Sequence, residues 1–360
     1  MKQALAGVEF CRGAGGVLAS KAMASASARM RLVARAVALL LAAGTVLGAA
    51  GSPQVRPPAL VAGESLLYRL QYRSGIQSSS SGPIYNPEAA HRLQISLSAR
   101  LRLDVLSVKS DPKRGRLTSL RATYESSDAS VQSDAYDAGA EALEKRYREL
   151  EGRSFEFTID GAGRVRQVAG LDRLDADERV RSAIRQWLGT VTLPLGVWQR
   201  GMKPGHKWER EEALVGTPLA GLAWRSRSTY RDNEECPPAP GAHPGLARET
   251  CAVIVTRLDT VRRGEHGDPT PPVYRRQGLR TSGRWKGTGE SLSYVSLTSG
   301  LVTSSTANES DEMDLTIAAE GGSRLRYAGT VESVSQITLL SIERPAAGKS
   351  KASGGTRPRN

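Results

Sequence analysis

The 360-residue sequence is short of the side chains from which most catalytic centres are built. Its four histidines, His91, His206, His243 and His266, are each isolated, and it has only three cysteines. With no H-E-x-x-H pattern and no Cys/His cluster, a zinc enzyme is disfavoured. A G-x-S-x-G elbow is also missing. Ser110-Asp-Pro-Lys113 matches S-x-x-K by letter but puts proline in a turn, and Gly348-Lys-Ser350 lacks the upstream glycine of a phosphate loop. The sequence therefore assigns no catalytic, cofactor-binding or metal-binding residue, and the expectation is a non-enzymatic protein without a cofactor. Aromatic residues make up 5% of the chain, and this scarcity argues against an outer-membrane barrel with its aromatic girdles.

Long apolar runs are missing too. The one hydrophobic stretch, Ala36 to Leu47, follows Met30-Arg-Leu-Val-Ala-Arg35 and precedes Gly48-Ala-Ala-Gly51. That order of basic, apolar and small residues is a secretory signal, too short to span a bilayer as a helix. The expected organisation is a leader over 1–51, a Pro-containing linker over 52–62 and an exported chain, soluble after cleavage near Ala50 or Gly51. Cys11 falls in the leader, so Cys236 and Cys251 remain as the pair. In an oxidising compartment they are a disulfide candidate closing a 15-residue separation, with two free thiols as the alternative.

The net charge of +13 is concentrated at the ends. Once the leader and the basic stretch 344–360 are set aside, only +3 remains over the body, and nucleic-acid binding is not inferred. The stretch 344–360 has the composition of a disordered basic tail.

What the chain has in quantity is period-two alternation. From His91 to Val108, Leu93, Ile95, Leu97, Ala99, Leu101, Leu103 and Val105 alternate with Arg92, Gln94, Ser96, Ser98, Arg100, Arg102 and Asp104. This spells a β-strand with one dry face, far longer than the usual five or six residues, and so a curved sheet whose inner face needs an apolar partner. Further strands are expected at Glu64–Arg73 and Leu117–Glu125, with the polar run Ser74–Gly82 as a loop. Ala138–Leu150 switches to helical spacing, with Leu143, Tyr147 and Leu150 on one stripe. Phe155, Phe157 and Ile159 lead into the turn Asp160-Gly-Ala-Gly163, a hairpin signal. A second helix, 176–188, carries Val180, Ala183, Ile184, Trp187 and Leu188 on one face and is expected to plug the sheet. Asp172, Asp175, Asp177 and Glu178 serve as its caps.

Beyond Leu193-Pro-Leu-Gly-Val-Trp198 the plan repeats faintly. Gly205-His-Lys-Trp208 opens a second set of strands, including Leu222–Tyr230, Cys251–Val261, Asp311–Ala318 and Arg324–Leu340, with a Pro-rich insert over 233–250. The expected fold class is mainly β: curved antiparallel sheets or half-barrels in two related halves, 63–200 and 201–343, with one or two short amphipathic helices packed on a sheet. The acidic group Glu309, Asp311, Glu312 and Asp314 is read as a solvent-facing strand edge rather than a calcium site. Trp187, Trp198, Trp208, Trp224 and Trp285 are the candidates for lining an apolar cavity, the other reading being that they fill the core.

The leader, the Gly63-Glu-Ser-Leu-Leu-Tyr68 opening, the Phe155–Val165 hairpin and the Leu193–Trp208 joint together resemble uncharacterised exported bacterial β-rich proteins classed as domains of unknown function. More distantly, the strand-rich start, hairpin and helix are similar to the amino-terminal β-barrel of vitellogenin-type lipid carriers. Either resemblance implies a periplasmic or secreted binding or envelope-interaction module, its partner an apolar ligand or an envelope component. An outer-membrane-associated barrel and a cryptic hydrolase are the competing classes.

Overall fold

In the computed structural model the described residues are 60–82, 92–112, 115–161, 165–171, 184, 187–191, 202–214, 217–238, 249–264, 267–319 and 321–345. The leader, Trp198, the acidic start of the second expected helix, the interior of the Pro-rich insert and the basic tail beyond Pro345 lie outside them.

These residues form one antiparallel sheet of eleven strands in the order β5-β4-β3-β2-β1-β11-β10-β9-β8-β7-β6. β1 (Ser65–Ser81), β2 (Arg92–Asp111), β3 (Gly115–Ser133), β4 (Ser154–Ile159) and β5 (Val165–Ala169) run from the centre to one edge. β6 (Lys207–Ala213), β7 (Leu222–Glu235), β8 (Thr250–Arg262), β9 (Leu279–Ser296), β10 (Val302–Ala319) and β11 (Arg324–Glu343) run from the other edge back to the centre. The two runs meet where β1 pairs with β11 from Ser65↔Glu343 to Ser81↔Arg326, with one register shift between Leu67 and Tyr68, so that a single sheet spans the seam. The sheet is not closed into a barrel. Its β6 edge carries Lys207, Glu209, Arg210, Glu211 and Glu212, charges that discourage edge-to-edge association.

The dry face of β2 is where the alternation puts it. Leu93, Ile95, Ala99, Leu101, Leu103 and Val105 are buried with Leu66, Tyr68 and Leu70 of β1, Leu120, Ala122 and Tyr124 of β3, and Phe155, Phe157 and Ile159 of β4. A lipid-facing barrel strand would turn those side chains outward, and here they point into the core. The outer face keeps its polar residues, among them Arg102, which bridges Asp104 at 3.0 Å and Glu125 at 3.5 Å.

Two strands run past their expected ends. β1 takes in most of the serine-rich stretch read as a loop, because Ser74 to Ser81 pair with Ser333 to Arg326 of β11 despite low strand propensity. β3 continues to Ser133 through a bulge opposite Arg100/Leu101. The bulge flips the phase, so that Ala122 and Tyr124 are buried before it and Ser127 and Ala129 after it. Simple alternation cannot follow a strand through such a flip.

Two helical pieces cover the first half. α1 (Ala138–Arg148) starts at Asp137, whose side chain accepts from the Gly139 amide at 2.8 Å. It buries Ala140, Leu143 and Tyr147, and Leu150 follows them into the core. Ile184 and the helical residues 187–191 press Trp187 and Leu188 into the same cluster, the plug expected of the second helix. A short α2 (Pro272–Arg275) precedes β9.

Candidate functional site

The inner face changes character across the sheet. Under β1–β4 it is a continuous apolar core, which extends to Met313, Leu315, Val331 and Ile337 of β10 and β11. At the far end a separate small cluster gathers Met202, Tyr230, Ala252, Ile254, Val295 and Leu297. Between the two, the cross-strand rows are built from small and hydroxylated residues. One row runs Leu97–Tyr72–Ser335–Ala307–Ser291–Thr256–Ser228–Trp208 by strand register. Ser228 and Thr256 hydroxyls lie 2.8 Å apart, as do those of Ser293 and Ser305 in the next row.

Much of this band is not covered. Leu97, Tyr72, Ser335, Ala307, Ser291, Glu309, Leu258, Trp224 and Trp285 are all half-exposed although they point inward. A single carboxyl is sunk among them: Asp311 is 2% exposed. It shares its face with Met313 and Leu315, whereas Glu312 and Asp314 point out and Asp314 binds Arg326 at 2.9 and 3.0 Å. The expectation of a solvent-facing acidic edge is therefore corrected: it holds for Glu312, and Asp311 belongs to the interior. Alternation through Met313, Leu315 and Ile317 already carried this information, since Asp311 stands two residues before Met313.

Asp311 is held by chemistry that its neighbours make possible. Its Oδ1 accepts from Trp285 Nε1 at 2.8 Å. Across the strand at Gly287, Asp311 Oδ1 and Trp224 Cη2 both lie where a Cβ would have to sit, with Thr260 Cγ2 at 2.9 Å from the same point. The Thr260 hydroxyl accepts from the Gly287 amide at 2.7 Å, completing the ladder where β8 and β9 part. At Gly289 a Cβ would meet Glu309 Cγ at 3.0 Å and Leu258 Cδ1 at 3.3 Å. The glycines of β9 thus let side chains from β7, β8 and β10 fold over its inner face.

Burial without a cationic partner pushes the Asp311 carboxyl up to about 7, an effect that Glu309 reinforces and the Trp285 hydrogen bond opposes. The Tyr72 phenol, beside the hydroxyls of Ser74 and Ser333 and within reach of Tyr147 and Glu309, is raised as well, chiefly by burial. Ser74 is 5% exposed and its Oγ makes no hydrogen bond of good geometry. The Tyr68 hydroxyl, on the same face of β1, is also buried without a partner.

The candidate tryptophans separate. Trp187 is buried in the packed core, donating to the Tyr124 hydroxyl at 2.9 Å with its ring 5.8 Å from that of Phe155. Trp208 and Trp224 stand half-buried along the open band, and Trp198 lies outside the described residues. Tyr72 and Ser74 are functional candidates that sequence patterning does not single out; Trp285 stands among the cavity-lining tryptophans, and Asp311 is read there only as part of an acidic strand edge. Cys236 and Cys251 meet with their sulfurs at bonding distance and Cα atoms 5.0 Å apart, stapling the end of β7 to the start of β8. No group of three or more metal-type side chains converges among the described residues.

No family model and no curated protein matches the chain. A solved structure entitled "Lipid-protein interactions in lipovitellin" is similar, with a TM-score of 0.44 and 11% identity over 80% of this chain and 26% of that one. The chain spans about a quarter of that protein's length. No matching family model supports the expected bacterial family.

Proposed function

We propose that the chain is an exported, non-catalytic binding module that holds an amphipathic ligand on the inner face of its sheet. The observation that carries this reading is the open band itself. Tyr72, Trp224, Trp285 and Leu258 are half-exposed while pointing inward, and they border the apolar core on one side and rows of serine and threonine on the other. An acyl or aryl portion suits the first surface, and hydroxyl-bonding groups suit the second. Export is supported by the leader-like order of residues 30–51 and by the Cys236–Cys251 pair.

Mass spectrometry of small molecules released from the natively exported protein tests this reading. It predicts a stoichiometric amphiphile in the fraction that carries the mature chain. Finding the chain retained in the cytoplasm, or exported with nothing bound and no uptake of added amphiphiles, would contradict it.

A further inference from the structure

Building on that reading, we propose that the open band selects an ammonium-bearing amphiphile, with Asp311 receiving the cation beside Glu309, Trp224 and Trp285 forming the aromatic wall at that level, and Tyr72 lying further along the band on the Glu309 side. A buried carboxylate requires a counter-charge or loses its own. At the level of Asp311, β9 presents Gly287 and, two residues away, Trp285; β11 presents Val331 and Ser333; β1 presents Ile76 and Ser74. β8 and β7 contribute Thr260 and Trp224. Glu309 on its own strand is the titratable group that acts on it, while by register Glu212 of β6 stands opposite Trp224, and Arg262 of β8 opposite Leu222, on the same face. Among the described residues no lysine or arginine, Arg262 included, acts on the Asp311 carboxyl, and the Glu309 carboxylate two residues away adds negative potential.

The surroundings decide which cation fits. Inorganic cations of the hard class take six or more oxygen ligands, and here the wall is largely aromatic. Indole and phenol rings around a carboxylate are the usual surroundings of an organic ammonium, which draws on ring faces and charge together. By register Ser74, Ser333 and Glu309 lie in one row, and Ser74 Oγ is buried. It supplies a hydroxyl for an N–H or for a neighbouring polar atom of the same headgroup. Because a carboxyl must be ionised to hold a cation, and burial keeps Asp311 protonated well above the ordinary carboxylate range, ammonium binding must strengthen as pH rises through neutrality.

The test uses the full mature chain and three ten-carbon amphiphiles below their micelle concentrations: decyltrimethylammonium, decyl maltoside and decyl sulfate. Titration calorimetry is expected to give decyltrimethylammonium about tenfold tighter binding than decyl maltoside, a preference that grows from about pH 6 to about pH 8. Asp311→Asn keeps an acceptor for Trp285 and should abolish the preference while leaving decyl maltoside binding intact. Glu312→Gln, on the outer face, should leave the preference unchanged. Equal affinity for all three amphiphiles, preference surviving Asp311→Asn, or calcium chloride binding in place of the ammonium probe would overturn the cation assignment yet leave amphiphile binding standing. Failure of all three amphiphiles to bind would overturn both readings.

Discussion

With the Asp311 carboxyl pushed up to about 7 by burial, the folded chain holds a proton there that an unfolded chain, with a carboxyl near the ordinary 3.8, has already released. The sign follows directly: between those values the native state binds more protons, so stability falls as pH rises through that window and is level above it. Each pH unit of the window is worth about 1.4 kcal/mol, so the cost at neutral pH is at most about 4 kcal/mol. Asp311→Asn should flatten this slope. Urea midpoints measured from about pH 4.5 to about pH 8 would show it, and parallel curves for variant and wild type would count against a buried, unpaired carboxyl. Asp314, whose carboxyl the Arg326 hydrogen bonds hold below the ordinary range, acts in a different window: what it adds is present at neutral pH and lost on acidification. Trp187 is the other residue with a large expected effect, since its ring fills the space between Tyr124, Phe155 and the helix. Trp187→Ala should cost about 3 to 5 kcal/mol by cavity formation, and an unchanged denaturation midpoint would show that the helix is not a plug.

β9 is the element on which the site depends and the one the sequence hid best. Between the apolar Leu279 and Val295 at its ends, its inward positions read Thr281, Gly283, Trp285, Gly287, Gly289, Ser291 and Ser293, with Trp285 the one apolar residue among these seven. Alternation reveals a strand only where one face is dry, so β2 and β4 were legible and β9 was not. The same limit explains the serine-rich half of β1. α1 was readable because Leu143, Tyr147 and Leu150 keep helical spacing. The site was partly in view: Trp208, Trp224 and Trp285 stand out in the sequence, but the buried carboxyl is grouped there with Glu309, Glu312 and Asp314 as one solvent-facing acidic edge. Gly287→Ala tests the element directly. A methyl group there collides with the Asp311 carboxylate and comes within 2.6 Å of Trp224. The expected outcome is a loss of about 1 to 3 kcal/mol and a changed tryptophan emission. An unaltered midpoint and spectrum would show that the strands have room to spare. Removing the staple by Cys236→Ser should cost up to about 3 kcal/mol in non-reducing buffer, and the same variant should match wild type under reducing conditions.

At the scale of the molecule, the seam between β1 and β11 makes one continuous inner face out of two runs of strands, with a packed apolar core under one run and an open, hydroxyl-rich band under the other. Ligand binding belongs, on the function proposed above, to that inner face, and the outer face is a solvated, charge-paired surface. Ala307 and Asn308 are adjacent on β10 and point to opposite faces, Ala307 into the band and Asn308 outward. Thiol alkylation of Ala307→Cys and Asn308→Cys variants, with and without decyltrimethylammonium, is therefore the most direct measurement. The amphiphile is expected to slow modification at 307 by about tenfold or more and to leave 308 unchanged. Protection at 308 alone, or equal rates at both positions with and without the amphiphile, would contradict binding on the inner face.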